Sequence, residues 1–248
     1  MFNHLLCTIV ICAIVMQQLV AINAFTIPTV PKITKRRSRQ NQRITVLSAS
    51  SSSTEKREPW DFFRFVKQSS KFISIFPKPV SEPTKVNPGD ILWSQSTSSS
   101  APFSWGPLDD VVMGGISSST FDNAKGKWIG FVTDKNSGGF IGIRSTPLRK
   151  ALDMSNCEGV EFTLKGIGSN QFKAVIRDST DFNGITWTGT FGGASKWGLW
   201  STNNNDKVTK VKIPFETLIP AIFAKIVPNQ VLKKENIVGF QLVYSKVS

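Results

Sequence analysis

Two sets of residues alternate along four segments in the second half of the chain, and a fifth segment, Lys127–Thr133, is apolar with aromatic and β-branched residues. A period of two with one apolar face is typical of half-buried antiparallel strands. The predicted strands are Lys127–Thr133, Gly139–Arg144, Val160–Lys165, Phe172–Arg177 and Val238–Tyr244. Turns rich in Gly, Asn, Ser and Asp are predicted at 135–139, 166–170, 178–184 and 202–206. The pattern predicts an all-β domain over residues 87–248, built as a sandwich or barrel.

The first 24 residues have a different pattern. They contain no Lys, Arg, Asp or Glu, and an apolar run extends from Leu5 to Val20. Small residues, Ala21 and Ala24, follow this run, so residues 1–24 are predicted to be a cleaved signal peptide. The alternative is a signal anchor that stays as a transmembrane helix, for which the run is short.

Residues 25–58 form a basic, hydroxyl-rich stretch. Residues 25–57 hold eight bases and the single acid Glu55, which is transit-peptide composition. A signal peptide followed by Ala24-Phe25 and such a stretch resembles the bipartite plastid presequence of diatoms and related algae. We therefore expect a mostly disordered targeting leader and a plastid protein. The alternatives are a disordered spacer of a secretory-pathway protein and a mitochondrial location.

Residues 59–86 combine an aromatic segment with a linker. A short helix with Trp60, Phe63 and Val66 or Lys67 on one side is predicted there. Two interpretations stay open: an element that docks on a membrane surface or a partner, helped by basic residues, or a segment that packs on the domain.

Charge and residue usage exclude several functions. The net charge is +13, but from Pro59 onward there are only 22 bases against 15 acids, so no nucleic-acid partner is expected. Once residues 1–24 are removed, the chain has no histidine and one cysteine, Cys157. That composition excludes a Ser-His-Asp triad, a His/Cys zinc site and an intramolecular disulfide, and Cys157 is predicted to be an inert thiol.

Two glycine-rich runs carry the most distinctive motifs, 108–119 and 136–144. Together with Trp93, a later Asp-x-Ser at 153–155 and Ile213-Pro214-Phe215, they resemble the complex I intermediate-associated protein 30 family over about residues 90–247. The matching positions in the two runs are Asp110, Val112, Met113, Gly114, Gly115 and Ser117, then Asn136, Gly138, Gly139, Phe140 and Arg144.

The resemblance implies a galactose-binding-like β-sandwich, or jelly roll. It also implies an assembly or chaperone role without catalysis, cofactor or metal, in building respiratory complex I or a photosynthetic complex. The implied partners are subunits or assembly intermediates of an organellar membrane complex, with at most peripheral membrane association after leader removal. The family usually has a further strand after the position of Ser248. We therefore expect either a longer chain or an open sheet edge at the last strand.

The residues themselves suggest what the motifs do. The candidate structural or partner-binding residues are Asp109, Asp110, Met113, Gly114, Gly115, Ser117, Asn136, Gly138, Gly139, Phe140, Arg144, Pro214 and Phe215. We predict a buried Asp110–Arg144 ion pair; the alternatives are that Asp110 caps a turn, or that the two acids bind a cation or a sugar hydroxyl.

Two other functions are considered from the residues. The first is a carbohydrate-binding module of the secretory pathway, in which Trp187, Trp197 and Trp200, near Phe182 and Phe191, stack on sugar rings rather than pack in the core. The second is an enzyme that acts through the carboxylates of Glu161, Asp178 and Asp181. The motifs favour an assembly factor over both.

Overall fold

A computed structural model describes residues 6–10, 13–16, 59–72, 82–167, 170–181, 183–193, 208–223 and 225–245. These residues form sixteen strands and one α-helix, α1 (Phe62–Ser69). The strands, numbered in chain order, are β1 (Leu6–Val10), β2 (Ala13–Met16), β3 (Thr84–Lys85), β4 (Ile91–Trp93), β5 (Trp105–Pro107), β6 (Ser118–Asp122), β7 (Lys127–Phe131), β8 (Phe140–Ser145), β9 (Leu152–Asp153), β10 (Gly159–Lys165), β11 (Gln171–Arg177), β12 (Thr186–Gly192), β13 (Val208–Pro214), β14 (Ile219–Ile222), β15 (Lys225–Ile226) and β16 (Gly239–Ser245).

The strands form two larger and two smaller sheets. The larger sheets have the orders β13-β10-β1-β4 and β15-β14-β12-β11-β16-β8-β5; the smaller sheets are β2-β7-β6 and β3-β9. The long pairings β10–β13, β11–β12, β11–β16 and β8–β16 are all antiparallel. The predicted all-β sandwich is confirmed, and the five predicted strands correspond to β7, β8, β10, β11 and β16.

The core lies between the two larger sheets and combines aliphatic with aromatic side chains. Phe162 of β10 stacks on Phe191 of β12 at 6.5 Å between ring centres, and Phe191 stacks on Phe172 at 5.6 Å. Trp128 of β7 adds to this cluster, 6.4 Å from Phe172. Period-two alternation produces this packing because it points every second side chain of β10, β13 and β16 at the opposite sheet.

Strand β16 is not the open edge that the sequence analysis offered as one possibility. It pairs with β11 on one side and with β8 on the other. The described edges of the seven-stranded sheet are β15 and β5. The alternation of Phe240, Leu242 and Tyr244 with polar or small residues fits this interior place, since these three side chains are buried.

Part of the predicted signal peptide contributes to the sandwich of the whole chain. Strand β1 runs parallel between β10 and β4, and its Cys7 and Ile9 are fully buried. Strand β2 pairs in parallel with β7. An apolar run with β-branched residues is compatible with a buried strand as well as with a signal peptide. Cleavage of residues 1–24 therefore stays a prediction. Residues 25–58 lie outside the described residues.

The structure of the whole chain corrects the thiol prediction for Cys157. Because β1 lies next to β10, Cys7 comes within disulfide reach of Cys157, and the two are bonded. The two predictions, an inert thiol at Cys157 and no intramolecular disulfide, were made for a chain without residues 1–24. They do not hold for the whole chain.

Helix α1 confirms the short helix predicted near Trp60. Its N-terminus is capped by Asp61, whose carboxylate accepts a hydrogen bond from the Arg64 amide at 2.9 Å. None of the helices in the described part of the chain is long and apolar enough to cross a membrane.

Candidate functional site

The two adjacent aspartates of the first motif lie between β5 and β6, at the start of a 3-10 turn, Asp110–Met113. Gly114 ends this turn with a left-handed backbone, φ +91°, which favours glycine there. Both carboxylates are fully buried. A buried carboxylate is costly unless donors surround it, so its partners define its role.

Asp110 binds backbone amides from two glycine-rich loops. Its Oδ1 accepts from the Ser117 amide at 2.9 Å, and its Oδ2 accepts from the amides of Gly139 at 2.8 Å and Phe140 at 3.4 Å. One carboxylate therefore joins the residue before β6 to the first residues of β8. This arrangement matches the turn-capping alternative rather than an ion pair.

Two glycines leave the space that the Asp110 side chain occupies. A Cβ atom at Gly115 would lie 2.3 Å from the Asp110 Cγ, and one at Gly138 would lie 2.4 Å from its Oδ2. Real Cβ atoms do not approach so closely. The double-glycine motifs are therefore needed because the backbone wraps tightly around a buried carboxylate.

Asp109 connects three elements of the fold. Its Oδ2 accepts from Arg64 Nη2 at 3.1 Å, Gln68 Nε2 at 2.9 Å and the Ser119 amide at 2.8 Å. Its Oδ1 accepts from the Ser119 hydroxyl at 2.6 Å and, more weakly, from the Gly142 amide at 3.4 Å. The Asp109 carboxylate thereby fastens α1 to β6 and β8.

Burial has the largest effect on the pKa of the Asp109 carboxyl group. Desolvation raises the pKa of its carboxyl group above the ordinary aspartate value, against the opposing effects of hydrogen bonds from Ser119 and Gln68 and of the Arg64 charge. The ion pair with Arg64 is asymmetric, since the Arg64 side chain is 26% exposed and the carboxylate is not exposed at all.

The predicted Asp110–Arg144 pair is wrong. Both oxygens of Asp110 serve backbone amides, whereas the Arg144 guanidinium lies 5.3 Å from the centre of the Phe72 ring, a cation–π contact. Burial and the charge of Arg177 lower the pKa of Arg144 to about 10. Arg144 lies near the end of β8 and Asp110 binds at its start, so the strand itself separates them.

The remaining motif residues fall into two groups. Near the aspartates, Ser117 is buried and its hydroxyl donates to the Thr133 carbonyl at 3.1 Å, Asn136 adopts a left-handed backbone at φ +56°, and Met113 is exposed. Pro214 ends β13 in the four-stranded sheet, and Phe215 follows it directly. The Phe215 amide donates to the Glu158 carbonyl at 2.8 Å, so this motif closes the β10–β13 pairing.

The described residues lend no support to the sugar-stacking or carboxylate-enzyme interpretations. Trp187 and Phe191 are buried in the core, while Phe182, Trp197 and Trp200 lie outside the described residues. Glu161 pairs with Lys210 at 3.5 Å. Asp178 Oδ2 accepts from the Lys233 amide at 3.1 Å. In the described part of the chain, no group of three or more His, Cys, Asp or Glu could hold a metal ion.

Sequence reasoning missed three residues of this site: Arg64, Gln68 and Ser119. Arg64 and Gln68 precede Asp109 by more than forty positions. They lie in the aromatic segment 59–86, which the sequence pattern placed outside the predicted domain 87–248. One signal was available, because they are four residues apart and so share a face of the predicted helix, which makes that face polar.

Comparisons with known proteins bear on the family. The sequence profile described as complex I intermediate-associated protein 30 (CIA30) matches residues 93–248. No curated protein matches the chain. Among solved structures, a family 11 carbohydrate-binding module from Clostridium thermocellum, in complex with a beta-1,3-1,4-mixed-linked tetrasaccharide, is 16% identical, with a TM-score of 0.35 over 57% of this chain and 79% of that chain.

The profile match begins at Trp93 in β4 and runs through the rest of the chain. It includes the paired aspartates, both glycine-rich loops that enclose Asp110, and the Ile213-Pro214-Phe215 segment. The resemblance noted in the sequence is confirmed over more than half of the chain. The chain belongs to the complex I intermediate-associated protein 30 family.

Proposed function

We propose that this protein is a non-enzymatic assembly factor that binds subunits or intermediates of an organellar membrane complex. The observation that carries the proposal is the family match over 93–248, because the family is associated with intermediates of complex I assembly. The described part of the matched region belongs to the sandwich, so the proposed activity lies on the surface of the sandwich.

The geometry of the aspartate site supports a binding role over a catalytic one. Asp109 and Asp110, the most distinctive acids of the motifs, are buried and use their oxygens on the protein's own donors. A catalytic carboxylate needs access to a substrate. The motifs therefore build a rigid scaffold, and client recognition falls to exposed residues.

The location we propose is the plastid, which makes a photosynthetic complex the favoured client over respiratory complex I. The support is the order of the sequence features: an apolar run, Ala24-Phe25, then a basic stretch. A fusion of residues 1–58 to a fluorescent reporter should enter the plastid of an alga with a complex plastid, and Phe25→Ala should keep the reporter outside the stroma. Secretion or mitochondrial import of the unchanged fusion would contradict this location.

The proposed function is tested by mild cross-linking and purification of a tagged whole chain from its host. The expected result is enrichment of subunits from one membrane complex, above a control strain that expresses the tag on an unrelated protein of the same compartment. Enrichment of glycans or of secretory glycoproteins instead would favour the carbohydrate-binding alternative. Enrichment of neither class would contradict the assembly role.

A further inference from the structure

Helix α1 has one face that is fixed to the domain. Arg64 and Gln68 point at Asp109 from this face, and Phe72, just beyond the helix, is buried under Arg144. The Trp60 indole adds a hydrogen bond to the Val111 carbonyl at 2.9 Å. Polar contacts to the Asp109 carboxylate and the Val111 carbonyl, together with the buried Phe72 ring, therefore set the orientation of the helix.

The opposite face is apolar and open to solvent. Four side chains form what we call the aromatic patch. Their exposed fractions are 49% for Trp60, 54% for Phe62, 86% for Phe63 and 44% for Val66. The rings touch one another, with centres 5.7 Å apart for Trp60–Phe62 and 6.3 Å apart for Phe62–Phe63. Contiguous exposed aromatic residues of this kind mark a binding surface.

Exposed cations border this patch. Lys67 follows Phe63 by four residues and precedes Lys71 by four, so the three lie along one side of the helical segment. Both lysines are exposed, and no described residue forms an ion pair with either of them. The basic residue nearer the domain, Arg64, is already bound to Asp109. Asp61, the exposed N-cap of α1, is the one acid of the described segment 59–72, so two free lysines against this carboxylate leave a net charge of +1 beside the patch.

We propose that the aromatic patch inserts into the interface of a membrane with an anionic surface. Trp and Phe rings are suited to the headgroup region, and lysines beside them bind anionic lipid headgroups. The charge favours a membrane as the binding partner of the patch. An anionic membrane offers an apolar layer for the aromatic rings and negative headgroups for the lysines. The inference goes beyond the assembly role, and it explains how a sandwich without a described membrane-spanning helix would stay beside a membrane client.

The test is binding of the purified whole chain to vesicles. Vesicles of phosphatidylcholine with phosphatidylglycerol should bind it, and vesicles of phosphatidylcholine alone should bind it more weakly. Phe63→Ser should weaken binding by about tenfold or more, the value of one buried aromatic side chain. Lys67→Gln and Lys71→Gln should each weaken it by about fivefold, and added salt should reduce their effect.

Matched controls come from the far part of the domain. Val231→Ser changes an equally exposed apolar residue, 85% exposed, and Lys212→Gln changes an exposed lysine. Neither should alter vesicle binding. Because residues 1–24 are themselves apolar, hydrogen exchange supplies a local readout: vesicles should protect the peptide 59–72 in the parent and not in Phe63→Ser.

Equal binding by Phe63→Ser, Lys67→Gln and the parent, with no protection of residues 59–72, would overturn the proposal. So would a patch variant that loses its co-purifying subunits but binds vesicles normally, since the patch would then be a protein-docking surface. Loss of vesicle binding with client co-purification intact supports the patch proposal independently of the assembly role. Normal patch-dependent vesicle binding without any client would count against the assembly role alone.

Discussion

The buried carboxylate of Asp109 should be one of the most sensitive positions for stability. Asp109→Ala removes a fully buried acceptor and leaves the amide and hydroxyl of Ser119, the amide of Gln68 and the Arg64 guanidinium without it. Removing one member of a buried pair costs about 3–5 kcal/mol. A domain of this size has about 5–15 kcal/mol in total, so the loss should be large.

Arg64→Ala should cost less, about 2 kcal/mol, because Asp109 keeps its donors from Ser119 and Gln68. The two changes should not be additive. Once Asp109 is absent, Arg64 keeps only its hydrogen bond to the Ser117 carbonyl, so its removal costs less than in the parent. We therefore expect the double variant to lose about 1–2 kcal/mol less than the sum of the single variants.

The assay is urea unfolding followed by tryptophan fluorescence and circular dichroism, for the four members of the cycle. Asp122→Ala is the matched control, since Asp122 forms an exposed pair with Lys125 at 3.6 Å. Such a pair contributes about 0–1 kcal/mol. The Asp122 carboxylate also accepts from the amides of Ala124 at 3.1 Å and Lys125 at 3.2 Å, a turn cap worth about 1 kcal/mol, so the control loss should stay well below that of Asp109→Ala. If Asp109→Ala unfolds as late as Asp122→Ala, or if the Arg64 and Asp109 losses add fully, the carboxylate does not fasten α1 to the sandwich.

Three further predictions test other parts of the structure. Burial raises the pKa of Asp109 in the folded protein. As pH rises from about 3.9 through this raised pKa, the parent should therefore lose stability relative to Asp109→Asn, measured by thermal unfolding against pH. A gain in stability relative to Asp109→Asn over that range would contradict the prediction. Gly115→Ala should cost about 2 kcal/mol or more through collision with Asp110, whereas Gly89→Ala, at φ +91° with open space, should cost only about 1 kcal/mol in a urea titration. Deleting residues 1–24 should lower stability by about 2–4 kcal/mol and speed amide exchange in β10, because it removes the buried β1 and the Cys7–Cys157 bond; an unchanged unfolding midpoint would mean that the sandwich does not need β1.

Five of the sixteen described strands were predicted, mainly because their buried side chains recur at every second position. In β10, Val160, Phe162 and Leu164 alternate with polar residues, and the structure buries these three in the core. The residues around β1 show no such alternation of apolar and polar side chains. An apolar run with isoleucine and valine satisfies both a signal peptide and a buried strand, so the pattern alone could not place it between β10 and β4.

The site was predicted at the level of its loops but not of its contacts. The glycine-rich loops of the motifs are the loops that enclose Asp110, because only a missing side chain at Gly115 and Gly138 leaves room for its carboxylate. The partner of the buried arginine was assigned wrongly, since Arg144 and Asp110 both belong to the motifs and no local signal pointed to Phe72. The pairing of Asp109 with Arg64 depends on where α1 packs, which is a tertiary property.

We propose that the protein joins an organellar membrane complex only while that complex is being built. The most direct test is a native gel of organelle membranes from a host with a tagged chain, in which newly made subunits are pulse-labelled. We expect the tagged chain to migrate with labelled, partial complexes during the pulse and to be absent from the mature complex, and we expect a strain without the chain to be depleted of that complex. A tagged chain that stays in the mature complex, or a deletion strain with normal amounts of every organellar membrane complex, would contradict the claim.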